Sequence, residues 1–174
     1  MYGGVRMSLE LRLEYIGQTA SDIQLRLLVT NQDPDRILIP HPEITGLEFA
    51  DPTGSTAQWY TSLLVSSNWA GLVLNPGESR ATTFSVRPTS LARPQRDNNS
   101  HYHRWSLGIT AGRYEVRYSI LVDANYFDGD SHYRFSDVES EARKLSARAW
   151  TGKGVSNVVP FEYTPPEASP NGGA

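Results

Sequence analysis

Gly112-Arg113-Tyr114-Glu115-Val116-Arg117-Tyr118-Ser119-Ile120 is a glycine turn feeding a run in which Tyr114, Val116, Tyr118 and Ile120 alternate with charged or polar residues. Alternation with period two marks a strand with one face in a core and the other in water. Tyr114 to Ile120 then line the interior, and Arg113, Glu115 and Arg117 form a solvated face of mixed charge. The stretch carries no catalytic pattern; it decides an architecture.

Six further segments extend that reading. Leu9, Leu11, Leu13 and Tyr15 alternate with Glu10, Arg12 and Glu14, and Ile23, Leu25, Leu27 and Val29 repeat the pattern. Ile44 to Ala50 runs into Asp51-Pro52-Thr53-Gly54, whose proline and glycine suit a turn. Trp59 to Val65 is a weaker strand. Thr82, Phe84 and Val86 alternate after the turn Asn75-Pro76-Gly77-Glu78 until Pro88 stops them. The last strand, Val155 to Tyr163, contains Pro160, which cannot donate to a ladder and so belongs at an edge or a bulge. One helix is expected from Asp137 to about Trp150, where Ser136 and Glu139 form a capping box and Val138, Ala142, Leu145 and Ala149 recur at helical spacing.

A chain of 174 residues fits one domain able to bury a self-sufficient core. Residues 1–7 read as an N-terminal arm and 8–163 as a β-sandwich. The proline- and glycine-rich tail 164–174 has little to bury and reads as disordered. The absence of cysteine removes disulfides, thiol catalysis and Cys-ligated zinc. No run approaches a membrane span and Met1 to Glu10 lacks an apolar signal core, so a cytoplasmic location and no membrane partner are expected.

Three long segments separate the strands: Asn31 to Glu43, Pro88 to Ala111 and Asp123 to Gly154. Long connections in compact domains are often functional. With the seven strands lettered A to G and alternating in direction, the B–C, D–E and F–G connections share one pole, and E–F lies at the other. The acidic F–G segment then joins Asp33 and Asp35, with Trp69 beside them. The opposite pole is basic, because Arg80 to Arg117 carries seven arginines against two acids. A strand at Arg36 to Pro40 would upset this count.

Asp123, Asn125, Asp128 and Asp130 surround Gly129 as a hard-cation loop requires, but the spacing departs from the helical calcium loop and Asp-Gly is an ordinary turn. Calcium is considered and not favoured. His101 and His103 would share a face if extended, with His132 or His41 as a third ligand, yet Asn98, Asn99 and Ser100 indicate a solvated loop, and no metal or cofactor is assigned. No serine sits in a Gly-x-Ser-x-Gly elbow and no phosphate loop is present, so no enzyme is assigned. The basic segment could track a nucleic-acid backbone, but Tyr114 and Tyr118 belong to the core face, and nucleic acid is disfavoured. Aromatic residues at or near loops supply rigid contact area for another protein.

In order, Leu74-Asn75-Pro76-Gly77-Glu78-Ser79, Phe84, Trp105 and Ala111-Gly112-Arg113-Tyr114-Glu115-Val116 resemble the motif order of bacterial intracellular proteinase inhibitors and related immunoglobulin-like domains, over about Val29 to Val122. Trp150-Thr151-Gly152 and Ser156-Asn157-Val158 resemble the last-strand pattern of bacterial immunoglobulin-like domains. The resemblance rests on turn and core positions and so bears on fold. The reading is all-β: an immunoglobulin-like antiparallel β-sandwich of about seven strands with one short helix inserted before the last. In such folds a tyrosine placed like Tyr114 makes a tyrosine corner, its ring buried and its hydroxyl bonded to the preceding loop.

The expected function is a non-catalytic protein-binding module that presents long loops to an unidentified protein partner. Trp69, Tyr126, Phe127, Asp128 and Asp130 are the candidate binding residues. The alternatives are a proteinase inhibitor, a carbohydrate-binding module and a hydrolase with dispersed carboxylates.

Overall fold

The computed structural model describes residues 8–61, 71–90, 105–123 and 135–167. Its strands are β1 (Leu9–Gln18), β2 (Ile23–Asn31), β3 (Ile37–Pro40), β4 (Leu47–Ala50), β5 (Gln58–Thr61), β6 (Gly71–Leu74), β7 (Ser79–Thr89), β8 (Trp105–Gly108), β9 (Gly112–Val122), β10 (Arg148–Ala149), β11 (Gly152–Val155) and β12 (Val159–Tyr163). One helix, α1 (Phe135–Lys144), lies between β9 and β10. The protein is an all-β sandwich with one short helix before the last strands.

One sheet has the order β1-β2-β7-β8-β5, and the other is built on β9, flanked by β4 and by β11 and β12. Val116 pairs with both Phe49 and Val159, so β4 and β12 hold opposite edges of β9. In letters, A-B-E-D faces C-F-G, the strand arrangement of immunoglobulin-like sandwiches. β8 is inserted between E and D, parallel to E. The extra strand β3 does not upset the alternation. It pairs with β6 and, in parallel, with β10 in a small third sheet outside the two main ones.

The core follows the period-two pattern. Leu9, Leu11, Leu13, Ile23, Leu25, Leu27 and Val29 from one sheet meet Leu47, Phe49, Val116, Tyr118, Ile120 and Phe161 from the other, all buried. Each such side chain contributes about 2 kcal/mol of hydrophobic stabilisation. Phe84 stacks on Tyr118 between the sheets with ring centroids 5.8 Å apart. At the pole where β9 begins, Phe161 stacks on Tyr15 (5.5 Å) and Tyr114 (5.9 Å) and meets Phe49 edge-on (5.8 Å).

The last strand is both bulged and at an edge. Val155 pairs with Ser119 and Val159 with Val116, so β11 and β12 follow one another along β9 with a one-residue offset. At the offset, Tyr118 N–H donates to the Ser156 hydroxyl at 2.8 Å, replacing the missing backbone acceptor. Local departures from the sequence reading have physical causes. Ile44–Gly46 is a single 3-10 turn, not strand, and its glycine lies under the Tyr118 ring. The helix stops at Lys144, short of Trp150, because Ser146 takes φ 52° and Ala147 N–H donates to the Ala142 carbonyl, closing the helix end. Arg148 and Trp150 then donate backbone N–H groups to Arg36 and Leu38, which converts the expected helix end into β10 and its continuation.

Candidate functional site

Trp69, Tyr126, Phe127, Asp128 and Asp130 lie outside the described residues, as do His101, His103 and His132. What the structure does show is the frame that carries those connections. Both β2 and β9 end, and β4 begins, at one pole. Arg148, which closes the F–G segment, reaches Asp33 at 2.5 Å and Asp35 at 3.9 Å. The acidic pole is thus tied together across 115 residues of sequence. Asn31 organises it from inside: fully buried, its side chain donates to the carbonyls of Asp35 (2.8 Å) and Leu74 (3.1 Å) and accepts from Asp33 N–H (2.8 Å).

At the other pole the tyrosine corner is present. Tyr114 donates its hydroxyl to the Thr110 carbonyl at 3.1 Å and accepts from Thr110 N–H at 3.2 Å. Its ring is half-buried on Phe161, and the hydrogen bonds pin the loop that turns into β9.

Beside this corner the C-F-G sheet carries an open trough. Its larger part encloses 660 Å³ and is lined by Ala50, Asp51, Pro52, Gly54, Arg113, Tyr114, Glu115, Pro160, Phe161 and Glu162. A second hollow of 270 Å³, lined by Glu48, Thr56, Arg117 and Val158 among others, adjoins it through Ala50, Gly54 and Glu115. The strand order explains the shape. β9 is the floor, β12 is one wall, and the turn after β4 rises as the other wall. That turn is stiff: Asp51 Oδ1 accepts from the backbone N–H groups of Thr53 (2.8 Å) and Ser55 (3.0 Å) and from the Thr53 hydroxyl (2.6 Å). Those bonds, the Thr53 hydroxyl foremost, hold the Asp51 carboxyl below its ordinary value.

Charge in the trough divides into two zones. Towards the smaller hollow, Glu48 is engaged, accepting from the Ser119 hydroxyl at 2.5 Å and pairing with Arg117 at 2.7 Å. The Ser119 bond first, and Arg117 after it, lower the Glu48 carboxyl, partly offset by burial. In the larger hollow, Arg113, Glu115 and Glu162 make no ion pair among the described residues. The alternating polar face of Gly112 to Ile120 was the signal for Arg113 and Glu115. Nothing in the sequence set Glu162 or the Asp51 turn beside them.

Trp59 is half-buried against Phe49 and donates its indole N–H to the Leu47 carbonyl at 3.0 Å, so it braces the edge of β4. Trp150 is buried and donates to the Ser8 hydroxyl at 2.8 Å. His41 is exposed and apart from any acidic cluster, and among the described residues no three His, Asp or Glu side chains gather as a metal site requires. No helix among the described residues is long and apolar enough to cross a membrane. Comparison with protein-family models and with curated proteins finds no match to this chain.

Proposed function

We propose that the protein is a non-catalytic binding module for another protein, and that the C-F-G trough is its principal contact. The observation that carries this reading is the open hollow over β9, in which Arg113, Glu115 and Glu162 stand without ionic partners among the described residues, between the apolar walls of Pro52 and Pro160. A concave floor with a few unpaired polar groups set among apolar ones is the composition that recognition sites use. The rigid frame favours it further: β9 is laddered on both edges and the Asp51 turn is tied by its own hydrogen bonds, so little order is lost on binding. Trp69 and the Tyr126 to Asp130 stretch, expected from the sequence to share the other pole, are a second candidate contact.

A photo-crosslinking amino acid in place of Glu162, Tyr126 or, on the opposite sheet, Arg12 tests the reading in cells that make the protein. A discrete adduct from position 162 and none from position 12 is expected. Adducts from both sheets alike, or from neither 162 nor 126, would sink the binding-module reading; an adduct from 126 alone would move the contact from the trough to the F–G segment.

A further inference from the structure

Register sets opposite charges directly across from each other at three places among the described strands: Glu14 with Arg26, Glu48 with Arg117, and Glu162 with Arg113. Such cross-strand neighbours are close enough to pair. The first two do, at 2.9 Å and 2.7 Å between guanidinium Nε and carboxylate. The third does not, and it is the one inside the large hollow. Glu115, two residues along β9 from Arg113, is likewise unpaired among the described residues and opposes Pro160 and Ala50, which offer it no charge.

The spacing specifies what would satisfy these groups. Arg113 and Glu115 lie on the same face of one strand, about 6.8 Å apart along it. An extended polypeptide repeats its side chains on one face at that same interval. A segment with an acidic residue and, two positions away, a basic one therefore matches both charges when laid along the trough, with the base shared between Glu115 and Glu162. Because an extended chain can lie in either direction, the requirement is on spacing and not on order. Adjacent opposite charges would point to opposite faces and could satisfy only one group.

We propose that the trough takes an extended segment of a partner protein carrying an acidic and a basic side chain two residues apart, the acid on Arg113 and the base on Glu115 and Glu162. This rests on the trough being the protein-binding surface.

Isotope-labelled protein titrated with short blocked peptides tests it by amide shifts. A threonine-rich peptide with Glu-x-Lys is expected to shift residues 113–117, 161 and 162 saturably at about 1 mM, and one with adjacent Glu-Lys to bind at least about ten-fold more weakly. Arg113→Glu leaves only carboxylates among the charged groups of the larger hollow and is expected to exchange preference, losing the Glu-x-Lys peptide and gaining Lys-x-Lys. Glu115→Arg provides the mirror test with Glu-x-Glu. Equal binding of the two spacings, no shift with any peptide, or an Arg113→Glu variant without exchanged preference would overturn the proposal. Shifts that depend on protein concentration alone would replace the partner with a second copy of this chain. If peptides fail while crosslinks from position 162 persist, this inference falls and the binding-module reading stands.

Discussion

The side-chain amide of Asn157 stands in for a peptide group beside Leu13: Leu13 N–H donates to its Oδ1 at 2.8 Å, and its Nδ2 donates to the Leu13 carbonyl at 3.0 Å. The two main sheets meet there without a backbone ladder. β1 and the β11–β12 strand are instead joined by this amide and by Gln18, which donates to the Thr164 carbonyl at 2.5 Å and accepts from Thr164 N–H at 3.4 Å. Gly154 completes the approach, since a Cβ there would stand 2.9 Å from a Leu11 methyl. With no cysteine in the chain, side-chain amides hold an edge that a covalent bridge could otherwise close.

Asn157→Ala should therefore cost about 2–3 kcal/mol, because two half-buried backbone groups of Leu13 lose partners at once. Asn157→Asp keeps an acceptor for Leu13 N–H but turns a carboxylate towards the Leu13 carbonyl. It should be about as damaging at neutral pH and recover below about pH 4, where the protonated carboxyl can donate. Urea unfolding at both pH values checks this, and equal loss at each would show that the amide does not act as a peptide surrogate.

Tyr114→Phe keeps the ring against Phe161 and removes only the two bonds to Thr110. A loss of about 1 kcal/mol is expected. Faster hydrogen exchange should be confined to the 109–112 loop, measured by amide exchange. Unchanged exchange there would mean that the corner does not pin the loop.

Gly46 lies so close to Tyr118 that an added Cβ would sit 2.6 Å from the ring, whose hydroxyl also accepts from Glu43 N–H at 3.1 Å. The ring is fixed by its stack on Phe84 and cannot easily yield. Gly46→Ala should destabilise by about 1–3 kcal/mol. In a double-mutant cycle with Tyr118→Leu the two losses should fall well short of adding, and strict additivity would refute the clash.

The sandwich was legible in the sequence wherever a strand buries one face. Leu9 to Tyr15, Ile23 to Val29, Thr82 to Val86 and Tyr114 to Ile120 all carry period-two patterns, and all are strands with those residues inward. β3 was legible only as an extra strand at Arg36 to Pro40 left outside the count of seven, because all four of its residues are buried and a fully buried strand shows no alternation. β8 and β10 are short and owe their place to neighbours: β10 exists because Arg148 and Trp150 find carbonyls on the chain around β3. The trough was half legible. Arg113 and Glu115 are alternate residues of one strand, but the register that brings Glu162 to them depends on the bulge at Ser156, whose hydroxyl replaces a backbone acceptor. Nothing local in the sequence announces that offset.

Acid should unfold the protein from a definite starting point. Glu14, Glu48, Asp51 and Glu78 are all held below their ordinary values by hydrogen bonds: from Arg26, from Ser119, from Thr53 and from Asn75 N–H, respectively. A carboxylate lowered on folding contributes stability that is complete above its unfolded value and is lost as pH falls through the folded one. The urea midpoint should thus be level from pH 7 to about 5 and decline below the ordinary glutamate value of 4.5. Glu48→Gln should lower the plateau and flatten the decline. A variant as acid-sensitive as the parent would remove Glu48 from the account.

Ser146 holds φ 52°, the single non-glycine residue with positive φ among those described, at the end of α1. The residues on either side force this conformation. Ser146 N–H donates to the Arg143 carbonyl and Ala147 N–H to the Ala142 carbonyl, so the chain must reverse within one residue before Arg148 can reach Arg36 and Asp33. A left-handed residue with a Cβ costs about 1 kcal/mol that glycine avoids. Ser146→Gly should therefore stabilise the protein by up to about 1 kcal/mol, and Ser146→Val should destabilise it by more than that, since a branched Cβ is worst tolerated there. Because this turn delivers Arg148 to Asp33 and Asp35, the valine variant should also loosen the acidic pole. Amide exchange at Asp33 and Asp35 would read that directly, and a valine variant with both amides unchanged would separate the helix end from the pole beside it.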